Sequence, residues 1–404
     1  MSLTKVGRGT MAAMMSLAMG LGLTACTRDY TVAYVYMTNA PKNGQGGGVS
    51  EYAVDFQSGA LVAVTGSPVA AGNNPTTIVA APNGLFVYVL NRDDSTVQEF
   101  AVAGDGTLSS KNVYTITGSF PTSATIDAAG KFLYVTYLYQ PGYTAALPGP
   151  GGITIFPINA DNSLGTALNQ NVGNNPVGVV TNTFNNFLYV VDQEPSPNAT
   201  VLGFSRDVNT GALTPIPGTT IGPAVPGGPT VAKGIPAGVA PSAIAEDPKG
   251  HWVYITDQAA NQLIGFVVQS SGVLLPMVSG PFNTGLFPVA VTVDPRGKYL
   301  YVANYNANTV GAYAIDQASG SPVGATGSAS TPVGTTPTAL GIDPALGIYL
   351  YSANNLDGTI TGMQLDPHNG TLKAIQNSPF PANGLPTSVA VVANGAHATQ
   401  IVQP

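Results

Sequence analysis

Residues 288–315 read PVAVTVDPRGKYLYVANYNANTVGAYAI, and this stretch decides the fold. The run 288–293 is nearly all apolar, as expected of a strand that is buried on both faces. The sequence DPRG at 294–297 predicts a turn, because proline sets φ at its second position and glycine closes it. A second strand then ends at Asn304, a third strand carries Tyr313, and a weaker fourth strand follows. The stretch therefore predicts a four-stranded antiparallel blade.

The same unit recurs along the chain with a period of about 45 to 50 residues, which is typical of a β-propeller. Each inner strand opens with a proline, and these prolines are Pro75, Pro121, Pro176, Pro241, Pro288, Pro337 and Pro386. Each second strand carries a tyrosine, and these are Tyr36, Tyr88, Tyr134, Tyr189, Tyr254, Tyr301 and Tyr351. A third-strand residue recurs as Tyr52, Phe100, Phe156, Phe204, Phe266, Tyr313 and Met363, and we expect it to pack between blades.

The two series are offset, because Tyr36 has no proline before it and Pro386 has no tyrosine after it. A ring closed by both chain ends explains this offset. We therefore predict one all-β domain at 32–393, a seven-bladed β-propeller of four-stranded antiparallel blades. Residues 385–392 should be the inner strand of blade 1 and pair with 32–38, which leaves a tail at 394–404.

Residues 1–25 have the pattern of an export signal: Lys5 and Arg8 precede an apolar stretch too short to span a bilayer. The sequence LTAC that ends at Cys26 resembles the lipobox of bacterial lipoproteins. This resemblance implies a lipid on Cys26, a short tether at 26–31 and attachment to the cell envelope, at the outer membrane or periplasm rather than the inner membrane. Cys26 is the only cysteine, so the chain cannot form an internal disulfide.

The charge of the chain excludes one class of partner. Only 8% of its residues are charged, and the formal net charge of −7 becomes −9 when Lys5 and Arg8 leave with the signal. Nucleic acid is not expected as a partner, because backbone binding needs a basic stripe. Membrane attachment is expected through the lipid on Cys26 alone, and we expect a monomer.

The proline-opened strand, the DPxG turn, the YVxN strand and the NTGxL-type turn at 209–213 resemble the YVTN-repeat, lactonase-type seven-bladed propellers. That family includes 6-phosphogluconolactonase-like enzymes and several cell-surface proteins. The resemblance implies a top face that holds the openings of the inner strands and the loops between second and third strands. It also implies, for the enzymes, an Arg-His pair just after one of the inner-strand prolines, with an acidic residue after a YVxN strand.

No Arg-His pair follows any of the seven prolines, where the sequence has only Thr, Ser, Val, Gly and Ala. His251 and His368 lie in predicted bottom-face turns, and His397 lies beyond the last strand. We interpret all three as solvated turn or tail residues, so the sequence does not supply the histidine that lactone hydrolysis by the route of the family requires.

The second strands end in a ring of polar residues on the top face: Asn39, Asn91, Tyr137, Asp192, Asp257, Asn304 and Asn354. Most should bond nearby backbone amides. Arg92, Asp192 and Asp257 are the weak catalytic candidates. Arg92 is either a carboxylate anchor or the ion-pair partner of the acids beside it. No cofactor or metal is expected, apart from a weak calcium hypothesis at Asp192, Glu194, Asp257, Asp93 or Asp94.

The insertion at 137–152 brings Tyr137, Tyr139 and Tyr143 to the top rim, with Glu194 on the next blade. Tyrosines on stiff loops are typical of binding sites, and packing on the neighbouring blade is the alternative. With Arg92, these are the ligand-binding candidates. The leading hypothesis is a lipid-anchored extracytoplasmic scaffold that binds a protein, glycan or small molecule near the loops of blades 3 to 5. The alternative is a lactonase-like hydrolase that uses top-face carboxylates and Arg92.

Overall fold

The computed structural model describes residues 31–42, 47–184, 186–195, 199–216, 234–324 and 330–395. Seven antiparallel sheets are arranged as blades around a central channel, and the described residues contain no helix. They accordingly include no apolar helix long enough to cross a membrane. The predicted export signal, Cys26 and the end of the tail lie outside the described residues.

Each blade is built outward from an inner strand that lines the channel. In blades 1 to 7 the first strands are Leu385–Ala393, Pro75–Ala80, Ser119–Ile126, Pro176–Thr181, Pro241–Glu246, Pro288–Val293 and Pro337–Ile342. The second strands are Thr31–Ala40, Phe86–Asn91, Phe132–Tyr139, Phe187–Asp192, Trp252–Asp257, Tyr299–Asn304 and Tyr349–Asn354. The third strands are Gly48–Asp55, Thr96–Val102, Gly152–Pro157, Thr200–Arg206, Gln262–Val268, Thr309–Ile315 and Thr359–Leu365.

The outer edges vary from blade to blade. The fourth strands are Leu61–Ala63, Leu108–Thr115, Leu168–Gln170, Leu213–Pro215, Leu274–Pro276, Pro322–Gly324 and Leu372–Ala374. In five blades a short extra strand continues the edge against the third strand: Val69–Ala70, Ile235–Pro236, Phe282–Asn283, Ser330–Pro332 and Phe380–Pro381. Blade 2 instead has one continuous outer strand.

The ring closes as the sequence predicts. The C-terminal strand Leu385–Ala393 pairs antiparallel with the N-terminal strand Thr31–Ala40, with Val391 opposite Val35 and Ala390 opposite Tyr36. Blade 1 is thus completed by both ends of the chain. Every inner strand pairs with the second strand of its own blade and is the edge strand of its sheet beside the channel.

A tyrosine hydroxyl joins each blade to the next. In all seven blades the second-strand tyrosine donates to the carbonyl of a residue with positive φ, in the turn between the third and fourth strands of the following blade. The pairs are Tyr36–Gly106, Tyr88–Asn162, Tyr134–Gly211, Tyr189–Gly272, Tyr254–Gly320, Tyr301–Gly370 and Tyr351–Gly59, with donor–acceptor distances of 2.6–3.1 Å. All seven side chains are fully buried. We call this set the tyrosine ring.

Apolar packing between blades follows the same pairing. Tyr254 of blade 5, for example, shares a buried cluster with Tyr313 of blade 6, and Tyr189 of blade 4 shares one with Phe266 of blade 5. The third-strand residue is at most 8% exposed in every blade. The predicted packing role of this residue is confirmed.

The two faces of the propeller carry different residues and loops. On the bottom face, the turn aspartates Asp127, Asp247, Asp294 and Asp343 accept backbone N–H groups from the start of the second strand. Asn394 donates to the carbonyl oxygens of Thr31 and Val32, so the described chain begins at this same face. The inner-strand prolines and the loops between second and third strands lie on the top face.

The substitution Tyr254→Phe removes one hydrogen bond of the tyrosine ring and leaves the buried carbonyl of Gly320 without its donor. We expect the free energy of unfolding to fall by about 1–3 kcal/mol, measured by denaturant titration. Tyr305→Phe, in a top-face loop of the next blade, is the control and should change it by less than about 0.5 kcal/mol. Equal effects of the two substitutions would contradict a specific role for the ring.

Candidate functional site

The top end of the channel forms a cavity of about 250 Å³. Its lining contains no charged side chain and consists of Thr76, Thr77, Ser123, Val177, Gly178, Val179, Ser242, Ala243, Ile244, Thr338, Ala339, Thr387 and Ser388. These residues come from the beginnings of six inner strands, those of every blade except blade 6, shortly after the prolines. We call this cavity the channel mouth.

Hydroxyls at the channel mouth join neighbouring inner strands. In four blades the residue after the proline donates to the carbonyl of the proline of the next blade: Thr122 to Pro176 (2.7 Å), Ser242 to Pro288 (2.9 Å), Thr338 to Pro386 (3.2 Å) and Thr387 to Pro75 (2.8 Å). Neither a base nor a cation stands beside them in the lining. These four hydroxyls therefore have a structural role, because an activated nucleophile needs an adjacent base.

The described histidines lie on the bottom face. His251 follows a turn between first and second strands and packs against the ring of Trp252 at 5.7 Å. The side chain of His368 is 91% exposed and lies 3.2 Å from Asp366 in a turn between third and fourth strands. His397 lies outside the described residues.

The polar ring at the ends of the second strands holds backbone in place. Asn91 and Asn304 accept the amides of Gly72 and Gly285, which precede the inner strands of their own blades. Asp257 accepts the amides of Val239 and Ala240, at 2.7 and 3.0 Å. This is the turn-forming role that the sequence predicts for most of the ring.

Asp192 has the same role in blade 4, and its pKa is raised. Its carboxylate accepts the amide of Asn175 at 2.6 Å and that of Asn174 at 3.2 Å, while the residue is only 4% exposed. Burial, opposed by these hydrogen bonds and assisted by the charge of Glu194, raises the pKa of Asp192 to about 6. This carboxyl group is therefore partly protonated at mildly acidic pH.

Arg92 pairs with its chain neighbour. Its Nε atom lies 3.1 Å from Oδ1 of Asp93, and the two side chains are 43% and 48% exposed. Its guanidinium also lies 5.9 Å from the centre of the Phe120 ring. An exposed ion pair of this kind contributes little to stability.

A second cavity, of about 550 Å³, lies at the top rim between blades 3 and 4. We call it the rim cavity, and its lining is Leu138, Tyr139, Pro148, Gly149, Pro150, Asn174, Asn175, Glu194 and Pro195. The first two strands of blade 3 each have eight residues, against six for their counterparts in blades 2, 4, 5, 6 and 7. This extension raises Tyr139 above the polar ring, where it pairs with Ser119.

The structure separates the three tyrosines of the insertion. Tyr137 is fully buried, with Gly118 and Gly152 so close that an added Cβ would overlap its ring or hydroxyl. Tyr139 lines the rim cavity, as Glu194 does. Tyr143 is 38% exposed and packs on Gly149, which also lines the cavity. Tyr137 therefore supports the rim from below, as a packing residue, while Tyr139 and Glu194 face the cavity.

The comparison with known families follows the architecture. Residues 34–170 and 223–336 match the family model "Lactonase, 7-bladed beta-propeller". The chain belongs to this lactonase family.

Solved structures of similar shape carry several functions. A proposed 6-phosphogluconolactonase from Bacteroides uniformis superposes with a TM-score of 0.72 at 18% identity, over 90% of this chain and 100% of the other. The periplasmic gluconolactonase of Pseudomonas aeruginosa gives 0.68 at 18%, over 90% and 99%. The hydrazine synthase of Kuenenia stuttgartiensis gives 0.57 at 15%, over 85% and 98%. At these identities the similarity shows the fold alone. A search of curated proteins gave no match.

Within the lactonase fold, the described residues of this chain bring together no group of three or more His, Cys, Asp or Glu side chains suited to a metal ion. Asp192 and Asp257, two of the acids in the calcium hypothesis, are instead engaged with backbone amides. Asp93 and Asp94 bond Arg92 and Asn73.

Phe120 belongs to the rim and was missed in the sequence. It precedes the inner-strand proline of blade 3 with φ of 59°, a left-handed conformation that costs roughly 1–2 kcal/mol for a residue with a large side chain. The equivalent residue of blade 2 is Asn74, an asparagine suited to the same conformation. The repeat itself gave no signal here, because the residue before the seven prolines is Asn twice, Phe twice, and Ala, Thr and Leu once each.

Proposed function

We propose that this member of the lactonase family is a lipid-anchored, extracytoplasmic binding protein that takes its ligand in the rim cavity. The observation that carries the proposal is the contrast between the channel mouth and the rim cavity. The channel mouth has an uncharged lining, and the hydroxyls of Ser242, Thr338 and Thr387 are bonded between blades. The rim cavity joins an aromatic side chain, three prolines and a carboxylate, a composition typical of ligand sites.

The charge of the rim cavity restricts the class of ligand that it can bind. Glu194 is the charged residue in its lining, and Asp192 lies close enough for its pKa to be raised by the charge of Glu194. Among the residues that the structure describes, no lysine, arginine or histidine lines the cavity. A phosphorylated or carboxylated ligand would meet like charge here, so an uncharged or cationic ligand is favoured.

Replacing residues 138–151 with the four-residue loop 355–358 of blade 7 tests the proposal. Tyr137 and Gly152 would keep the register that Asn354 and Thr359 have in blade 7. We expect the variant to fold with unchanged melting temperature within a few degrees and to lose the rim cavity. Capture of small molecules, glycans and peptides from cell-envelope extracts, followed by mass spectrometry, should show ligands retained by the parent protein only. Identical retention by both proteins would contradict the proposal.

Hydrolysis of an uncharged lactone is the second candidate, favoured by family membership and by the carboxyl pair Asp192 and Glu194 beside the rim cavity. In this case the rate would rise with pH through about 6, as Asp192 loses its proton. The test is turnover of a lactone panel by the mature protein and by the Arg92→Ala, Asp192→Asn and Glu194→Gln variants. Our leading proposal predicts no turnover, and turnover abolished by these substitutions would establish the hydrolase instead.

The anchor predicts an orientation. Thr31 lies at the bottom face, and residues 27–31 span at most ~18 Å when fully extended. A lipid on Cys26 would therefore hold the bottom face against the membrane and leave the rim cavity pointing away.

We expect Cys26→Ser to move the protein from the membrane to the soluble fraction, because no other lipid attachment is proposed. The measurement is fractionation of cells, with protease digestion of intact membranes to report orientation. Cleavage should reach 139–150 before the bottom-face turns. Membrane retention of Cys26→Ser, or selective protection of 139–150, would contradict the proposed anchor or its orientation.

A further inference from the structure

Phe120 adopts its left-handed conformation without gaining a place in the core. Its side chain remains 40% exposed. Its ring meets that of Tyr139 edge to face, with centroids 5.6 Å apart and planes at 76°. The Arg92 guanidinium lies on the ring of Phe120 as well. The left-handed conformation thus places the ring of Phe120 against that of Tyr139 at the rim, and it does not bury Phe120 in the core.

The backbone of Tyr139 is held in place by strand pairing. It is the last residue of the second strand of blade 3 and is paired with Ser119 of the inner strand. A side chain on a paired strand is positioned more exactly than one on a loop, which suits a binding surface. Tyr139 lines the rim cavity together with Leu138, Pro148 and Pro150 of the same blade, so the blade-3 wall of the cavity is largely apolar.

The wall of the rim cavity that blade 4 forms is polar, and its side chains are held by hydrogen bonds. Asn174 donates its side-chain amide to Glu194, and Asn175 donates its own to the carbonyl of Gln193 at 2.8 Å. The backbone amides of both asparagines bond Asp192. Carboxylate and amide groups fixed in this way are suited to accept and donate hydrogen bonds with ligand hydroxyls at little ordering cost.

We propose that the rim cavity binds an uncharged saccharide, with the apolar face of a sugar ring on Tyr139 and its hydroxyls on Glu194, Asn174 and Asn175. This rests on the proposed function, in that the ligand occupies the rim, and it names the ligand class. A saccharide fits this pair of walls, because its ring has an apolar face of C–H groups and carries hydroxyls around its edge. The cavity volume of about 550 Å³ is within the usual range for small-ligand sites. Sugars with carboxylate or phosphate groups are disfavoured by Glu194.

Phe120 is a positioning residue in this site. It does not line the cavity, and it acts by fixing the ring of Tyr139. Phe287 is a matched case in blade 6: it also precedes the inner-strand proline, has φ of 57° and contacts the ring of Tyr305 at 5.9 Å. It lies in another blade from the rim cavity and therefore provides a control.

The first experiment is binding of the mature protein to an array of neutral and uronic-acid-containing oligosaccharides, followed by calorimetry on the best neutral binder. We expect neutral glycans to bind, Tyr139→Ala and Glu194→Gln each to weaken binding about tenfold or more, and Tyr139→Phe to bind within about threefold of the parent. Leu356→Ala, on the equivalent loop of blade 7, is the control and should leave affinity unchanged. Preference for acidic glycans, or equal affinity of Tyr139→Ala and the parent, would overturn the inference.

The second experiment compares Phe120→Asn with Phe287→Asn. Because asparagine adopts the left-handed conformation readily, both variants should melt at a temperature equal to or about 2 °C above that of the parent. Only Phe120→Asn should weaken the neutral glycan, by about threefold to tenfold. Equal affinities of the two variants would remove the positioning role of Phe120, whatever their stabilities.

The two proposals fail in different ways. If the parent binds no saccharide while replacement of 138–151 still abolishes capture of another ligand, the saccharide inference is wrong and the rim site stands. If that replacement leaves every captured ligand in place, the rim site itself is wrong.

Discussion

The hydrogen bond from each second-strand tyrosine to the next blade is the interaction on which the rest of the structure depends. A blade has two apolar faces and is not stable alone, so it must be held at a fixed angle to its neighbours. The hydroxyl of Tyr254 can reach the carbonyl of Gly320 only if blades 5 and 6 have the right offset, and the positive φ of Gly320 turns that carbonyl toward it. The same bond between Tyr351 and Gly59 joins blade 7 to blade 1. Apolar packing supplies most of the burial, and the tyrosine ring sets its geometry.

This constraint explains why so much of the fold could be predicted from the sequence. A tyrosine that must bond a turn in the next blade stays at a fixed distance from the proline of its own blade, and Pro288 and Tyr301 keep the spacing found between Pro75 and Tyr88. The closure between Val35 and Val391 followed from the same regularity. The extra outer strands were not predicted, because segments of two or three residues such as Phe380–Pro381 leave no periodic pattern.

The site was less accessible to sequence reasoning, for a physical reason. Tyr137 occupies the polar-ring position of blade 3, and its neighbours in sequence suggested an exposed loop. The strands of that blade in fact continue past the ring, so Tyr137 is buried under Gly118 and Gly152 while Tyr139 faces the rim cavity. How far a strand continues beyond its repeat depends on pairing with another strand, here Ser119, and no local pattern reports it. Phe120 was missed because its role lies in a backbone conformation.

The residues that build the propeller and the residues of the proposed ligand site therefore lie in different parts of the molecule. Positions that recur from blade to blade build the tyrosine ring and the channel mouth, whereas residues of a single insertion and its neighbours build the rim cavity.

The central structural claim is that the tyrosine ring holds the blades together. It is tested most directly by an alkaline titration that follows tyrosinate absorbance and the β-sheet circular dichroism signal together.

Burial raises the pKa of all seven ring tyrosines above its ordinary value near 10. Their contribution to stability is therefore complete below pH 10 and is lost as pH rises above it, by up to about 1.4 kcal/mol per pH unit for each tyrosine. We expect the ring tyrosines to stay protonated through pH 10 and then to ionise in one cooperative step with loss of the β-sheet signal. Full ionisation of the tyrosines near pH 10 with the β-sheet signal unchanged would contradict the claim.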